Sequence, residues 1–272
     1  MKAQPSFKGS ARPAAVAGKF YPADPAELRR TIEDLLAEVK TPPCSPPKAL
    51  IVPHAGLIYS GPIAASAYAE LKPLRKAIRK VVLIGPAHYV FVPGLAVPTS
   101  DAFETPLGSV RVSRELVDRT RTFPIVRESD EAHAPEHSLE VQLPFLQVVL
   151  KDFEVLPMLA GQVTPEEIAE VLDAVWGGPE TCLIISSDLS HFLAWAAARK
   201  IDTLTAEAIE KLQPELISDH QACGRLPIKG LLKSASHHGL KSTLLDLRNS
   251  GDTAGNHDRV VGYGAFAFRP KD

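Results

Sequence analysis

Apolar residues recur along this chain in two rhythms, a helical spacing and short unbroken runs. Leu28, Ile32, Leu35, Leu36 and Val39 share one face of a helix. Asp24 as N-cap, Pro25 at the first helical position and Glu27 at the third mark its start. The prolines between Thr41 and Pro47 stop it, since proline cannot continue a helical ladder. The apolar run from Ala49 to Pro53 then predicts a buried strand, and Ser60 to Leu71 a helix rich in small residues. Val81 to Ile84 and Gly94 to Val97 predict two more strands. Helices are predicted over Ser113 to Thr120 and over Ser138 to Leu150, the second kinked by Pro144.

Glu154 to Leu159 predicts a strand. Thr164-Pro165-Glu166-Glu167 is a capping box that opens a helix running to Trp176. Cys182 to Ile185 is again strand-like, followed by helices over Ala196 to Leu212 and Arg225 to Ser236. Ser242 to Leu247 and Val260 to Phe268 close the pattern as strands. Strands alternating with helices predict an α/β architecture, with helices on both faces of a mixed sheet. Residues 1–23 read as an irregular arm, of which 1–12 form a flexible leader. No repeat and no linker divides the chain, so 1–272 reads as a single domain.

Composition narrows the function classes. The chain has 272 residues, 30 Lys plus Arg against 32 Asp plus Glu, and a formal charge of −2. That balance argues against a nucleic-acid binder that works by neutralising phosphates. No apolar run approaches the roughly 20 residues of a membrane span, and no signal-peptide core is visible near the start. Three cysteines cannot all pair, so a reducing, cytoplasmic setting is expected. Nine histidines are a mild excess, and their positions matter more than their number.

Three apolar runs end alike. His54, His88 and His191 each follow a predicted strand, and α/β sheets bind ligands outside the carboxyl ends of their strands. One such histidine is ordinarily a loop residue satisfied by a hydrogen bond; three in one chain point to a site. Cys223 precedes a predicted helix and Arg225, two features that favour thiolate. The bland alternative for it is an inert buried thiol. Cys182 reads as core and Cys44 as a loop residue. Asp188 is either a partner for an imidazole or a helix N-cap.

Between Asp130 and Glu140 the chain is dense in ionisable groups. His133 and His137 are candidates to line a pocket, and Glu140 falls in the first turn of a helix from Ser138, which the helix dipole explains. His220, His237, His238 and His257 read as surface positions. No G-x-S-x-G elbow, phosphate loop, H-E-x-x-H or paired C-x-x-C is present.

Seven stretches run in order along the chain: AVAGKFYPADPAEL (Ala15 to Leu28), VPHAGLIYSGPIAASAY (Val52 to Tyr68), LIGPAHYV (Leu83 to Val90), ETPLGSVRV (Glu104 to Val112), EHSLEVQLPFL (Glu136 to Leu146), SSDLSHF (Ser186 to Phe192) and CGRLPI (Cys223 to Ile228). Together they resemble the Memo family, whose prokaryotic members are called AmmeMemoRadiSam system protein B. The resemblance implies a three-layer α/β/α domain with a mixed central sheet, similar to the catalytic subunit of class III extradiol dioxygenases. It implies His54, His88 and Cys223 as metal ligands, the cysteine standing where those enzymes have Glu. It also implies His191 as acid/base, with Asp188 beside it.

Thiolate in place of carboxylate makes a softer site for a divalent metal, Fe(II) foremost, with Cu or Zn as alternatives. His137, Glu140, Lys19, Tyr59 and Arg225 are the candidate substrate-pocket residues. The reading is a metal-dependent oxidoreductase acting on a small molecule. The alternative is a binding or adaptor protein that keeps a vestigial pocket; eukaryotic relatives are associated with phosphotyrosine peptides, and Lys19 or Arg225 suits an anion. A zinc hydrolase ranks third. The family name implies radical SAM and AMMECR1-like partners, although the chain carries no C-x-x-x-C-x-x-C cluster motif of its own.

Overall fold

A computed structural model of the chain describes residues 9–40 and 45–271. Residues 1–8 of the expected arm, and Cys44, lie outside the described residues. The first half runs β1 (Ala11–Arg12), α1 (Pro25–Ala37), β2 (Ala49–Val52), α2 (Leu57–Ala69), β3 (Lys80–Pro86), β4 (Leu95–Val97), β5 (Ala102–Thr105), β6 (Gly108–Val112) and α3 (Arg114–Thr120). Then come β7 (Val126–Glu128), α4 (Asp130–His133), α5 (Gln142–Val149), β8 (Glu154–Ala160), α6 (Pro165–Ala174), β9 (Thr181–Ser186) and β10 (His191–Leu193). The chain closes with α7 (Trp195–Glu210), α8 (Arg225–His237), β11 (Leu240–Asn249) and β12 (Val260–Pro270).

The strands form one mixed sheet in the order β1-β5-β6-β8-β3-β9-β2-β12-β10, with β11 on β12, and β4 bridging β7 and β8. Its centre, β8-β3-β9-β2, is parallel. Strands β2 and β9 are buried at every residue, as expected where both faces are covered. Two crossovers explain the layers. The connection β2-α2-β3 steps over β9 in one direction, and β8-α6-β9 steps over β3 in the other. Parallel crossovers are right-handed, so opposite steps place α2 and α6 on opposite faces. Accordingly α1, α2 and α5 pack together on one side, and α3, α6 and α8 on the other.

Caps fall where the sequence puts them. Asp24 accepts from Glu27 N, and Thr164 forms the reciprocal box with Glu167. Four expectations change. The helix expected from Ser138 starts at Gln142, so Pro144 lies in its first turn, where no backbone N–H is required and no kink follows. The β5–β6 hairpin, and the short strands β1, β7 and β10, went unread because each has too few residues to show a period. Helix α2 begins at Leu57, one turn early. The arm expected over 1–12 is anchored at its end: Ala11 and Arg12 pair with β5, and Arg12 is buried against Glu140.

Candidate metal centre

Three adjacent strands, β3, β9 and β2, deliver His88, Asp188 and His54 past their carboxyl ends. Pro53 follows the last ladder residue of β2, and the next amide, His54 N, donates to Asp188 Oδ1 at 2.8 Å. His54 is buried; its Nδ1 lies 2.9 Å from Ser186 Oγ, and its Nε2 lies 3.4 Å from Cys223 Sγ. His88 follows β3. Its backbone N donates to Glu136 Oε2 at 2.6 Å, and its Nδ1 lies 2.9 Å from Glu136 Oε1.

Cys223 comes from the loop before α8, which is tied to the end of β9. Cys223 N donates to Asp188 O at 3.2 Å, and Gly224 N to Ser187 Oγ at 2.9 Å. A Cβ on Gly224 would stand 2.7 Å from Ser187 Cβ, so only glycine lets this loop approach so closely. Gly85 does the same for the segment before α5, since a Cβ there would meet Ser138 Oγ at 2.8 Å.

Ligand atoms of His54, His88 and Cys223 all lie within 4.8 Å of one another. Metal–nitrogen bonds near 2.0–2.1 Å and a metal–sulfur bond near 2.3 Å set a tetrahedral N···S edge of about 3.6 Å. The 3.4 Å between His54 Nε2 and Cys223 Sγ fits that edge. A second group, His88, Glu136 and His137, is equally compact. There the carboxylate is already occupied: it accepts from His88 N, His137 N, Ser138 N and the His88 ring. It is a hydrogen-bonded bracket around His88.

The electrostatics suit an incoming cation. Burial, then the nearby His88, pulls His54 down to about 3. Burial, then the Asp188 carboxyl, pushes the Cys223 thiol up to about 12. Arg225 does not oppose this, because its Nε is held by Asp219 at 2.9 Å. The thiolate expected from Arg225 and the helix start is therefore corrected: burial outweighs both. Asp188 is raised by burial. Burial also raises Glu136, but its hydrogen bonds from His88 and Ser138 outweigh that and hold it near 2. The imidazole of His54 is thus neutral, the form a metal binds, whereas Cys223 must lose its proton before it can ligate.

Of the three strand-end imidazoles, two meet: the His54 and His88 rings are 5.3 Å apart. The third ring of the cluster is His137, at 5.4 Å from His54 and stacked 4.8 Å from His88. Burial, then His54, lowers His137 to about 4. His191 begins β10 opposite Val261, with its ring against Phe192. Tyr59 is half-buried in the first turn of α2, and Lys19 is exposed.

Glu140, expected in the pocket and in a helical first turn, is in neither. It is wholly buried, paired with Arg12 at 2.5 Å, and accepts from Ala15 N, Val16 N and Tyr21 OH. His133 is buried away from the cluster, its Nε2 at 3.0 Å from Ala96 O. His220, His237, His238 and His257 are exposed, as read. Sequence reasoning missed Glu136, Ser186 and Gln142. A signal existed for the last: Gln142 is a polar residue inside an apolar helical run.

A family model described as Memo-like protein matches residues 12–267. A MEMO1 family protein of Aquifex aeolicus is 37% identical over 94% of this chain and 98% of its own length. One of Ignicoccus hospitalis is 37% identical over 94% and 98%, and one of Methanobrevibacter smithii 36% over 95% and 99%. With a match over nearly its whole length, the chain belongs to the Memo family.

Proposed function

We propose that this protein is a mononuclear metalloprotein, with the ion held by His54, His88 and the Cys223 thiolate, and that it works as a non-haem metal-dependent oxidoreductase. The observation that carries this is the convergence of those three ligand atoms, from buried His54 through half-buried Cys223 to exposed His88, within 4.8 Å and with a nitrogen–sulfur edge of metal-site length. Two imidazoles and a thiolate leave coordination positions open; the soft sulfur accepts Cu or Zn as well as Fe(II), and the resemblance to iron dioxygenases puts Fe(II) first. A bound ion supplies Lewis-acid or redox chemistry at those positions.

The remaining work falls to the chain's own side chains. Glu136 and Ser186 orient the two imidazoles. His137, neutral and stacked on His88, takes or gives a proton at a ring nitrogen, with Tyr89 OH at 3.2 Å from its Nδ1. Asp188, raised by burial, accepts from the His54 backbone N–H at 2.8 Å and so ties the two strand ends together; His191 is the second candidate acid/base. A cavity of 230 Å³ beside Cys223, lined by Pro86, Phe91, Gln162, Arg225 and Leu226, fits a small group with both polar and apolar faces.

The test is elemental analysis of protein purified without added metal, then of protein reconstituted anaerobically with Fe(II). About one equivalent in the parent, lost in His54→Ala and Cys223→Ser, supports the reading. Equal metal content in His54→Ala and the parent overturns it. A second reading, a binding protein for a peptide, draws on the exposed Ile58, Tyr89, Phe91 and Phe192, each a few residues from a site residue. Peptide binding that ignores both chelator and Cys223→Ser would favour it.

A further inference from the structure

His54 offers the correct nitrogen to a metal only if its proton sits on Nδ1. The structure settles this through a chain of buried groups whose donors and acceptors can be counted. Ser186 Oγ touches three partners. It lies 2.5 Å from Ser138 O, 2.8 Å from Gln142 Nε2 and 2.9 Å from His54 Nδ1. A carbonyl oxygen only accepts, so the single hydroxyl proton of Ser186 is spent on Ser138 O. What Ser186 presents to its other two neighbours is lone pairs.

The Gln142 amide is fixed in turn. Its Nε2 lies 2.9 Å from Pro53 O, another pure acceptor, and its Oε1 accepts from Tyr68 OH at 2.7 Å. A flipped amide would set oxygen against oxygen at Pro53. Gln142 therefore donates to Ser186, and Ser186 cannot turn its proton towards the imidazole. His54 Nδ1 must carry the hydrogen, and the Nε2 lone pair faces Cys223 Sγ.

We propose that Tyr68, Gln142 and Ser186 form a tautomer lock that presets His54 Nε2 as a metal ligand, matched on His88 by the Glu136 carboxylate. Resting on the metal-site reading above, it assigns Ser186 and Gln142 as positioning residues. All three members of the lock, and His54 itself, are buried, where an unpaired polar group is costly, so the arrangement has no cheap alternative. Partners of this kind typically change metal affinity by about 10- to 100-fold. Glu136 needs no comparable chain. An ionised carboxylate only accepts, so the His88 Nδ1 beside it carries its own hydrogen.

Two measurements test the lock. Long-range proton–nitrogen spectra of the metal-free protein read the tautomer of each histidine directly. The parent should show His54 protonated at Nδ1, and Ser186→Ala should show a mixture of both forms. An Nε2–H tautomer in the parent overturns the inference whether or not metal binds. Co(II) titration, followed by the thiolate charge-transfer band, reads the consequence. Ser186→Ala should bind about 10- to 100-fold more weakly with the band's shape kept, and Ser186→Thr, which restores the hydroxyl, should recover most of the loss.

Equal Co(II) affinity in Ser186→Ala and the parent sinks the lock and leaves the metal site standing. A parent that binds no Co(II) through sulfur sinks the metal reading instead, and the nitrogen spectra then decide the tautomer alone.

Discussion

Glu140→Gln removes one charge from an ion pair that has no access to water. Glu140 Oε2 accepts from Arg12 Nη1 at 2.5 Å and Ala15 N at 2.8 Å; Oε1 accepts from Val16 N at 3.0 Å and Tyr21 OH at 2.5 Å. All four partners are donors. An amide has one oxygen, so whichever way Gln turns, its NH2 faces two of them. The Arg12 guanidinium, 5% exposed, would then be stranded without its counter-charge. Breaking a buried pair in this way costs about 3–5 kcal/mol. Unfolding entropy near 2.1 cal/mol/K per residue gives a chain of 272 residues about 0.6 kcal/mol/K, so Tm should fall by about 5–9 °C.

The same substitution reaches the site. Arg12 also donates to His133 O and Glu136 O at 2.6 Å each, and so clamps the segment that carries Glu136 and His137. Co(II) affinity should therefore fall together with Tm. Thermal unfolding of the parent, Glu140→Gln and the Arg12→Met/Glu140→Gln pair is the assay. The double variant should melt above the single one, because the stranded cation is gone. A single variant that melts within about 1 °C of the parent refutes the magnitude. A double variant that melts below the single one refutes the mechanism.

Three more outcomes are expected. Burial pushes the Asp202 carboxyl up to about 6 despite its hydrogen bond from Ser190 N at 3.0 Å. A group that binds its proton more tightly when folded stabilises the fold below its ordinary pKa and loses that as pH rises through 6, by about 3 kcal/mol here. Asp202→Asn should gain on the parent between pH 4 and pH 8 in denaturant midpoints; parallel curves would contradict this. Gly224→Ala should leave far-UV circular dichroism unchanged and weaken Co(II) binding at least tenfold, since the added carbon forces the Cys223 loop off Ser187; unchanged affinity would show that the loop has slack. Lys48→Met should cost about 2–3 kcal/mol in urea melts, because Lys48 Nζ donates to the carbonyls of Trp176 and Gly178, in the turn after α6, and of Thr181 at the start of β9, and loss below about 0.5 kcal/mol would count against it.

Much of the framework was legible because its signals are local. The N-cap at Asp24, the capping box at Thr164, prolines at helix starts, and apolar runs at β2, β3 and β9 act within a few residues of themselves. The helix from Arg225 was placed to within one residue of its end. The short strands were not legible. Their pairing is supplied by neighbours far away in sequence, as when β1 is held by β5. Glu140 was misread for the same reason. A helix dipole is a local explanation, and the actual partner, Arg12, is remote in the chain.

By itself, then, the sequence determined that His54, His88 and His191 would follow strands, and its resemblance to the Memo family pointed to His54, His88 and Cys223 as the ligand candidates. It also determined the family through motifs that span almost the whole chain. The tertiary structure decided which imidazoles touch, adding His137 to His54 and His88. It decided the charge on each group as well, raising the thiol that Arg225 was expected to ionise and fixing the His54 proton through Ser186. The reason is physical. Residue type sets what a side chain can donate, accept or ligate, but burial and approach distance set what it does, and both come from segments brought together only when the sheet has formed.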